Sequence, residues 1–344
     1  MKVLFTFLIL IVANAISVRA QQPPAPKATP TPEPGEEVDD VVRVNTTLVT
    51  VPVRVLDRDG KYVPDMRQQE FQVFENGIEQ QLAYFAPVES PFTIVLMIDI
   101  SDSTESNLQE IKQAALAFMD QLRSGDEVII ITFDNRPIAL NQPTNDREAL
   151  RRLIDGLRPG KGTRLYDALD IVFKRLLHQI KGRKAIVLFT DGVDIDSRAS
   201  AREILRRAEE TEVLIYSVRY NTYYAIKEKI RKANADSPRA IIAVEKGSRE
   251  EDYAQGRTFL KSIADKTGAE MYETSDPRKL ATAFAQIADE LRWQYSLGYY
   301  PTVPGEPGQK RTIEVRVSRE KVSVRARSSY VYTEQNIPVP RNRD

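Results

Sequence analysis

The chain has 344 residues, 42% of them hydrophobic and 28% charged, which is enough apolar material for one large or two modest domains. Its 49 Lys and Arg against 49 Asp and Glu give a formal net charge of +0, so charge offers no case for nucleic acid or an anionic membrane surface as partner. It holds no cysteine, which excludes disulfides, thiolate metal sites and a lipidated cysteine within this sequence.

Met1-Lys2 is a short positive start, and residues 3–16 (VLFTFLILIVANAI) are an apolar run. Val18-Arg19-Ala20 closes it with small residues where a signal peptidase cuts. The run is shorter than the roughly 20 residues of a spanning helix. A signal peptide cleaved after Ala20 is therefore expected, with an uncleaved anchor as the alternative. Export to the periplasm or the medium follows from it. Residues 21–40 begin QQPPAPKATPTPEPGEE, a Pro-rich tether of polyproline type.

Residues 41–89 are expected to be β. TLVTVPVRVLD alternates apolar and polar positions, Arg58-Asp59-Gly60-Lys61 supplies a turn, and Asn76-Gly77 is a hairpin signal. From Phe92 the rhythm changes. FTIVLMID is a continuous apolar run, as in a parallel strand buried on both faces. Leu108, Ile111, Ala115, Met119 and Leu122 then recur at helical spacing, so residues 107–123 form an amphipathic helix. EVIIITF, AIVLFT and VLIYSV are further strands, with a short one around residues 270–272. Helical patterns run through Leu150 to Leu157, Leu165 to Leu176, Ile204 to Ala208, Phe259 to Ile263 and Leu280 to Leu291. Strands alternating with helices in this way predict a doubly wound, mostly parallel sheet over residues 90–293. Residues 222–255 break the rhythm and are expected to be a partly helical surface insertion. After Trp293, YSLGYYP, RTIEVRVS and KVSVRARS return to period two, and a disordered tail is expected from residue 333. The economical arrangement is one small β domain built from residues 41–89 and 294–332, with the α/β block inserted into it. Two separate β appendages are the rival.

Three pieces of sequence carry chemistry. FTIVLMID ends in Asp99-Ile100-Ser101-Asp102-Ser103, Gly160-Lys161-Gly162-Thr163 precedes a helix, and AIVLFT runs into Asp191-Gly192. In an open α/β sheet, sites form outside the carboxyl ends of the strands, so all three are expected at one edge. They offer carboxylate and hydroxyl oxygens only, a donor set for hard cations such as Mg2+, Mn2+ or Ca2+. Each piece alone has an ordinary structural role, as turn former or helix cap. Their joint order along the chain is what points to a metal.

Asp99-x-Ser101-x-Ser103, Thr163 and Asp191 resemble the metal-ion-dependent adhesion site of von Willebrand factor A domains. The likeness covers residues 92–291, and VLMIDISDST, GKGTRLYDAL and VLFTDG look like that family's own segments. The whole chain is similar to an exported bacterial subfamily, in which a segment like VRVLDRDGKYVPD precedes the domain and one like QYSLGYYP follows it. The resemblance implies a Rossmann-like sheet with one antiparallel edge strand, for which residues 136–140 are the candidate. It also implies that Ser101, Ser103 and Thr163 ligate the metal, with Asp99 and Asp191 acting directly or through water. Lys161 departs from the small residue common beside that threonine. Asp102, Asp134, Asp194 and Asp196 are read as solvated loop acids, Asp167 as a support for the third helix, His178 as a surface residue, and Trp293 and Tyr295 as packing of the domain junction.

The expected function is metal-dependent binding of a protein that offers an Asp or Glu carboxylate to the metal, as an adhesion or scaffold module without turnover. A Mg2+-dependent hydrolase or phosphatase is weaker. A dehalogenase-type nucleophile wants Asp-x-Asp where this chain has Asp99-x-Ser101, the lone histidine has no partner, and no Walker loop occurs. A structural envelope module with a vestigial metal site is the third reading.

Overall fold

Strand β5 (Phe92–Asp99) is buried along its whole length, which a strand achieves only in the middle of a sheet covered on both faces. In the computed structural model it lies between β6 (Glu127–Phe133) and β8 (Arg183–Thr190), parallel to both. Strands β9 (Leu214–Tyr220) and β10 (Met271–Thr274) extend the sheet beyond β8 in parallel. The opposite edge is β7 (Pro137–Ala139), antiparallel on β6 and inside the predicted 136–140. The order is β10-β9-β8-β5-β6-β7.

The period of two divides the core. Ile94, Leu96 and Ile98 pack under α1 (Leu108–Gln121), α2 (Arg147–Asp155) and α7 (Leu280–Arg292). Val95 and Met97 pack under α3 (Leu165–Ile171), α4 (Ala201–Glu210) and α6 (Glu250–Thr267). Each such fully buried aliphatic side chain contributes about 1.5–3 kcal/mol. The chain is thus α/β and doubly wound. The predicted third helix changes character halfway, because Val172–Leu176 is a π turn that apolar periodicity cannot reveal.

The structure describes residues 48–86, 91–211, 213–236, 247–274, 276 and 279–332. The expected signal peptide, Pro-rich tether and tail from residue 333 lie outside them. Among the described residues no helix is long and apolar enough to cross a membrane.

The segments flanking the α/β block share sheets. Strand β1 (Val49–Leu56) pairs with β11 (Tyr295–Tyr299) and β13 (Ser323–Ala326), and β11 pairs with β4 (Leu82–Ala86). In a second sheet β2 (Phe71–Glu75) lies between β3 (Ile78–Gln80) and β12 (Lys310–Val317), with β14 (Ser329–Val331) beyond β12. Asn76 and Gly77, at φ 48° and 81°, make the tight β2–β3 turn, for which a residue pair tolerant of positive φ is needed. Tyr295 is fully buried in this β core, its ring 5.2 Å from that of Phe71, with its hydroxyl donating to Val63 O (2.7 Å). Trp293 packs against the same core.

The described part of segment 222–255 is helical over most of its length and buried near its ends. Thr222 is fully buried, Tyr223–Asp236 forms α5, and α6 starts at Glu250 with Tyr253 only 3% exposed. The described charged side chains of α5, Lys227, Glu228, Arg231 and Lys232, are exposed, and Thr222 and Tyr253 lie at the site described next.

Candidate metal centre

The carboxyl ends of β5 and β8 bring two acids together. Asp99, the last residue of β5, is 0% exposed, and Asp191, just past β8, is 1% exposed. Both fold the loop that follows them in the same way. Asp99 Oδ1 accepts from Ser101 N (3.0 Å) and Asp191 Oδ1 from Val193 N (3.0 Å), each two residues on. Thr104 Oγ1 donates to Asp99 O (3.1 Å) and Ser101 O (2.9 Å), which pins the backbone so that the Ser101 and Ser103 hydroxyls meet at 3.2 Å. Ser103 Oγ donates to Asp191 Oδ2 (2.8 Å), so the hydroxyl proton between the two serines comes from Ser101.

Thr163 comes in on the third loop. Its backbone O accepts from Ile195 N (2.9 Å), Gly160 N donates to Ile100 O (2.6 Å), and Gly162 N faces Asp102 Oδ2 at 3.4 Å. The loop is therefore stitched to the segments that follow both Asp99 and Asp191. Thr163 is 3% exposed, and its hydroxyl has no hydrogen-bond partner among the described residues.

The donors to the two carboxylates are neutral throughout. Asp99 Oδ2 receives Thr190 Oγ1 (2.7 Å), and Asp191 Oδ2 receives Thr222 Oγ1 (2.7 Å) besides Ser103. No lysine or arginine among the described residues pairs with either acid; Arg219 reaches only Asp191 O, through Nε (3.2 Å). Burial, and then the nearby charge of Asp191, push the Asp99 carboxyl up to about 7 against the pull of the Ser101 and Thr190 hydrogen bonds. Two buried anions with neutral donors and free hydroxyl oxygen are a site short of positive charge. The oxygen-only donor set suits Mg2+, Mn2+ or Ca2+, and the residues present fit such an ion.

Thr190, Thr222 and Tyr253 were not singled out in the sequence. Thr222 gives its only proton to Asp191, so the 3.1 Å contact with Tyr253 has the phenol as donor. Burial, and then Asp191, raise the Tyr253 pKa, which keeps that proton in place. Thr222 lies two residues beyond β9 at the same sheet edge, and the rule that nominated Asp99 and Asp191 reaches it once β9 is included. We expect Thr222→Val, isosteric but unable to donate, to weaken Mn2+ binding about tenfold at unchanged fold, because a charge-assisted hydrogen bond of about 1.5–3 kcal/mol that orients Asp191 is lost. Calorimetric titration checks this, and an unaltered affinity would remove Thr222 from the site.

The Asp191 loop also depends on a close backbone contact. Gly192 sits at φ 89° against Gly256 of α6, and a Cβ on Gly256 would lie 2.5 Å from Gly192 O. In an ordinary helix Gly→Ala gains up to about 1 kcal/mol. Here the clash is with backbone, so Gly256→Ala is expected to cost about 1–3 kcal/mol and to displace Asp191. A urea melt that shows stabilisation instead would contradict the contact.

The other acids divide. Asp134 accepts from Arg136 N (2.9 Å) and Lys161 N (3.3 Å) and so organises the glycine loop. Asp194 receives Tyr166 N and Ser197 Oγ, and Asp167 receives the amides of Arg198 and Ala199, which fastens the loop beyond Asp191 to α3. Asp102, Asp196 and Lys161 are exposed. His178 is exposed on the turn after the π segment, away from the strand ends that carry the site.

The sequence model of the von Willebrand factor type A domain family matches residues 94–193. A "UPF0353 protein" of Nocardia farcinica is 24% identical over 229 residues, 60% of this chain and 65% of that protein. An uncharacterized protein of Borreliella burgdorferi is 25% identical over 195 residues, 53% of this chain and 54% of that protein. The chain thus spans less than two thirds of these relatives. Among solved structures, the von Willebrand factor type A protein of Catenulispora acidiphila aligns with a TM-score of 0.44 at 12% identity, over 84% of this chain and 74% of that one. Proximal thread matrix protein 1 of the mussel byssus, described with a zinc-occupied MIDAS motif, aligns at 0.43 and 15% identity, over 62% and 48%. Through residues 94–193, the stretch that holds Asp99, Ser101, Ser103, Thr163 and Asp191, the chain carries a von Willebrand factor type A domain.

Proposed function

We propose that this chain is an exported, non-catalytic binding module that holds Mg2+, Mn2+ or Ca2+ through Asp99, Ser101, Ser103, Thr163 and Asp191. Through that ion it binds a protein partner offering an Asp or Glu carboxylate, in an adhesion or scaffold role. The observation that carries the reading is the charge deficit of the cleft: two buried carboxylates, neutral donors around them and, among the described residues, no cation paired with either. A divalent ion held by two carboxylates and hydroxyls keeps room for a further oxygen ligand, and an external carboxylate suits it in charge and hardness. The chain's one histidine, His178, is exposed away from the site, so no histidine base serves Asp99 or the serines, which fits a module without turnover. Export rests on the leader-like residues 1–20.

Calorimetric titration of the full chain with Mg2+, Mn2+ and Ca2+, beside Asp99→Ala, tests the metal. Binding by the parent chain alone is expected. Capture from envelope extracts in Mn2+ and again in EDTA tests the partner. Metal binding that survives Asp99→Ala, or capture indifferent to EDTA, would overturn the reading.

A further inference from the structure

Around the metal site a ladder of tyrosines runs from the core to the solvent. Tyr253 is buried and donates to Thr222, which itself binds Asp191. The Tyr223 ring packs on Tyr253 at 5.4 Å, and Tyr224 packs edge-on against Tyr223 at 5.3 Å. Tyr224 is 70% exposed, more than any other large apolar side chain among the described residues. An exposed tyrosine on a long flexible loop would have to be ordered on binding. This one is backed by a second ring that rests on a third, two residues from a side chain bonded to the site. A pre-positioned aromatic of this kind loses little freedom when a partner covers it, and such residues dominate binding energy at interfaces.

Among its described side chains the same helix is predominantly basic. Tyr224, Lys227 and Arg231 are three and four residues apart and share a stripe of α5. Among its described side chains Lys227, Arg231 and Lys232 stand against Glu228 alone, which Arg231 already holds at 2.7 Å. Lys227 lies 5.5 Å over the Tyr223 ring, and no carboxylate pairs with it among the described residues. A partner whose acid approaches the metal therefore meets an apolar step at Tyr224 and positive charge just beyond it.

We propose that this face of α5 recognises the residues flanking the partner's metal-binding carboxylate. It fits an acidic protein segment that carries an aromatic or aliphatic side chain next to that carboxylate, the ring or alkyl group covering Tyr224 and a second acid facing Lys227. The proposal rests on the metal–carboxylate reading above and adds to it what sets specificity.

A random short-peptide phage library, panned on the full chain in Mn2+ and eluted with EDTA, supplies the probes. Released peptides are expected to carry an Asp or Glu beside an aromatic or aliphatic residue. Their affinity should fall about tenfold in Tyr224→Ala, return in Tyr224→Phe, and fall in Lys227→Glu by a factor that shrinks as salt rises. Tyr224 is exposed, so the Tyr224→Ala chain should melt and titrate Mn2+ like the parent. Peptides that carry an acid without an apolar neighbour, or that bind Tyr224→Ala as tightly, would overturn the α5 surface and leave the metal–carboxylate reading standing. If a chain that titrates with Mn2+ releases no peptides to EDTA, both fall together.

Discussion

Replacing Asp99 by Asn is expected to abolish the gain in thermal stability that we expect Mn2+ or Mg2+ to give the parent chain, and to leave the metal-free protein more stable than the parent at pH 8. Both effects come from the same buried carboxyl. Burial first, and the neighbouring Asp191 second, raise it from an ordinary value of 3.8 to about 7. A group that holds its proton more tightly folded than unfolded stabilises the fold while that proton is bound. The contribution of this group to the metal-free parent is therefore full below about pH 4, is lost as the pH rises to about 7, and changes little above that. The slope in that window is about 1.4 kcal/mol per pH unit. The amide of Asp99→Asn would not titrate and would keep the acceptor for Ser101 N, while Thr190, which already receives Gly192 N (3.0 Å), would turn from donor to acceptor. For the parent at pH 8, metal at a hundred times its dissociation constant adds about 2.7 kcal/mol, and at pH 5 it must first displace the proton and binds more weakly. Melts at pH 5 and pH 8, with and without Mn2+, separate these effects. A metal-dependent shift that persists in Asp99→Asn would mean the ion sits elsewhere.

The main frame of the α/β block could be read from the sequence because its signals are local. FTIVLMID and AIVLFT are apolar without interruption, and only a sheet with both faces covered explains that. Asp99 and Asp191 stood out because they end such runs. The Thr222–Tyr253 relay was hidden for the opposite reason. A threonine and a tyrosine inside a charged segment look like surface, and only the crossing of α6 over the Asp191 loop buries them. Gly256 was equally silent, since the contact that requires a glycine is with Gly192, 64 positions earlier in the chain. Register was out of reach in the flanking strands as well: a period of two says which face is apolar, and nothing local says that Val51 lies opposite Leu297.

That pairing of distant segments sets the second large expected effect, in the flanking sheets. Glu75 of β2 is 3% exposed and Arg311 of β12 is 2% exposed, and the two form an ion pair. Tyr299 and Tyr330 both donate to Glu75 Oε2 (2.8 and 2.6 Å), while Arg311 also reaches Val303 O and Pro304 O. Glu75 precedes the α/β block and its partners follow it, so this knot closes a loop of more than 200 residues. Arg311→Met would leave an uncompensated buried carboxylate, at a cost of about 3–5 kcal/mol. Changing both partners, Glu75→Leu with Arg311→Met, should recover most of that, because the desolvated charge goes with its partner. Urea melts of the two single variants and the double variant measure the coupling, and equal losses that simply add would mean that the knot is not a unit. Manganese affinity below the melting transition should be unchanged throughout, since no hydrogen bond of the knot reaches Asp99 or Asp191. If Arg311→Met loosens metal binding while the chain is still folded, the flanking sheets contribute to the candidate metal centre as well as joining the two ends of the α/β block.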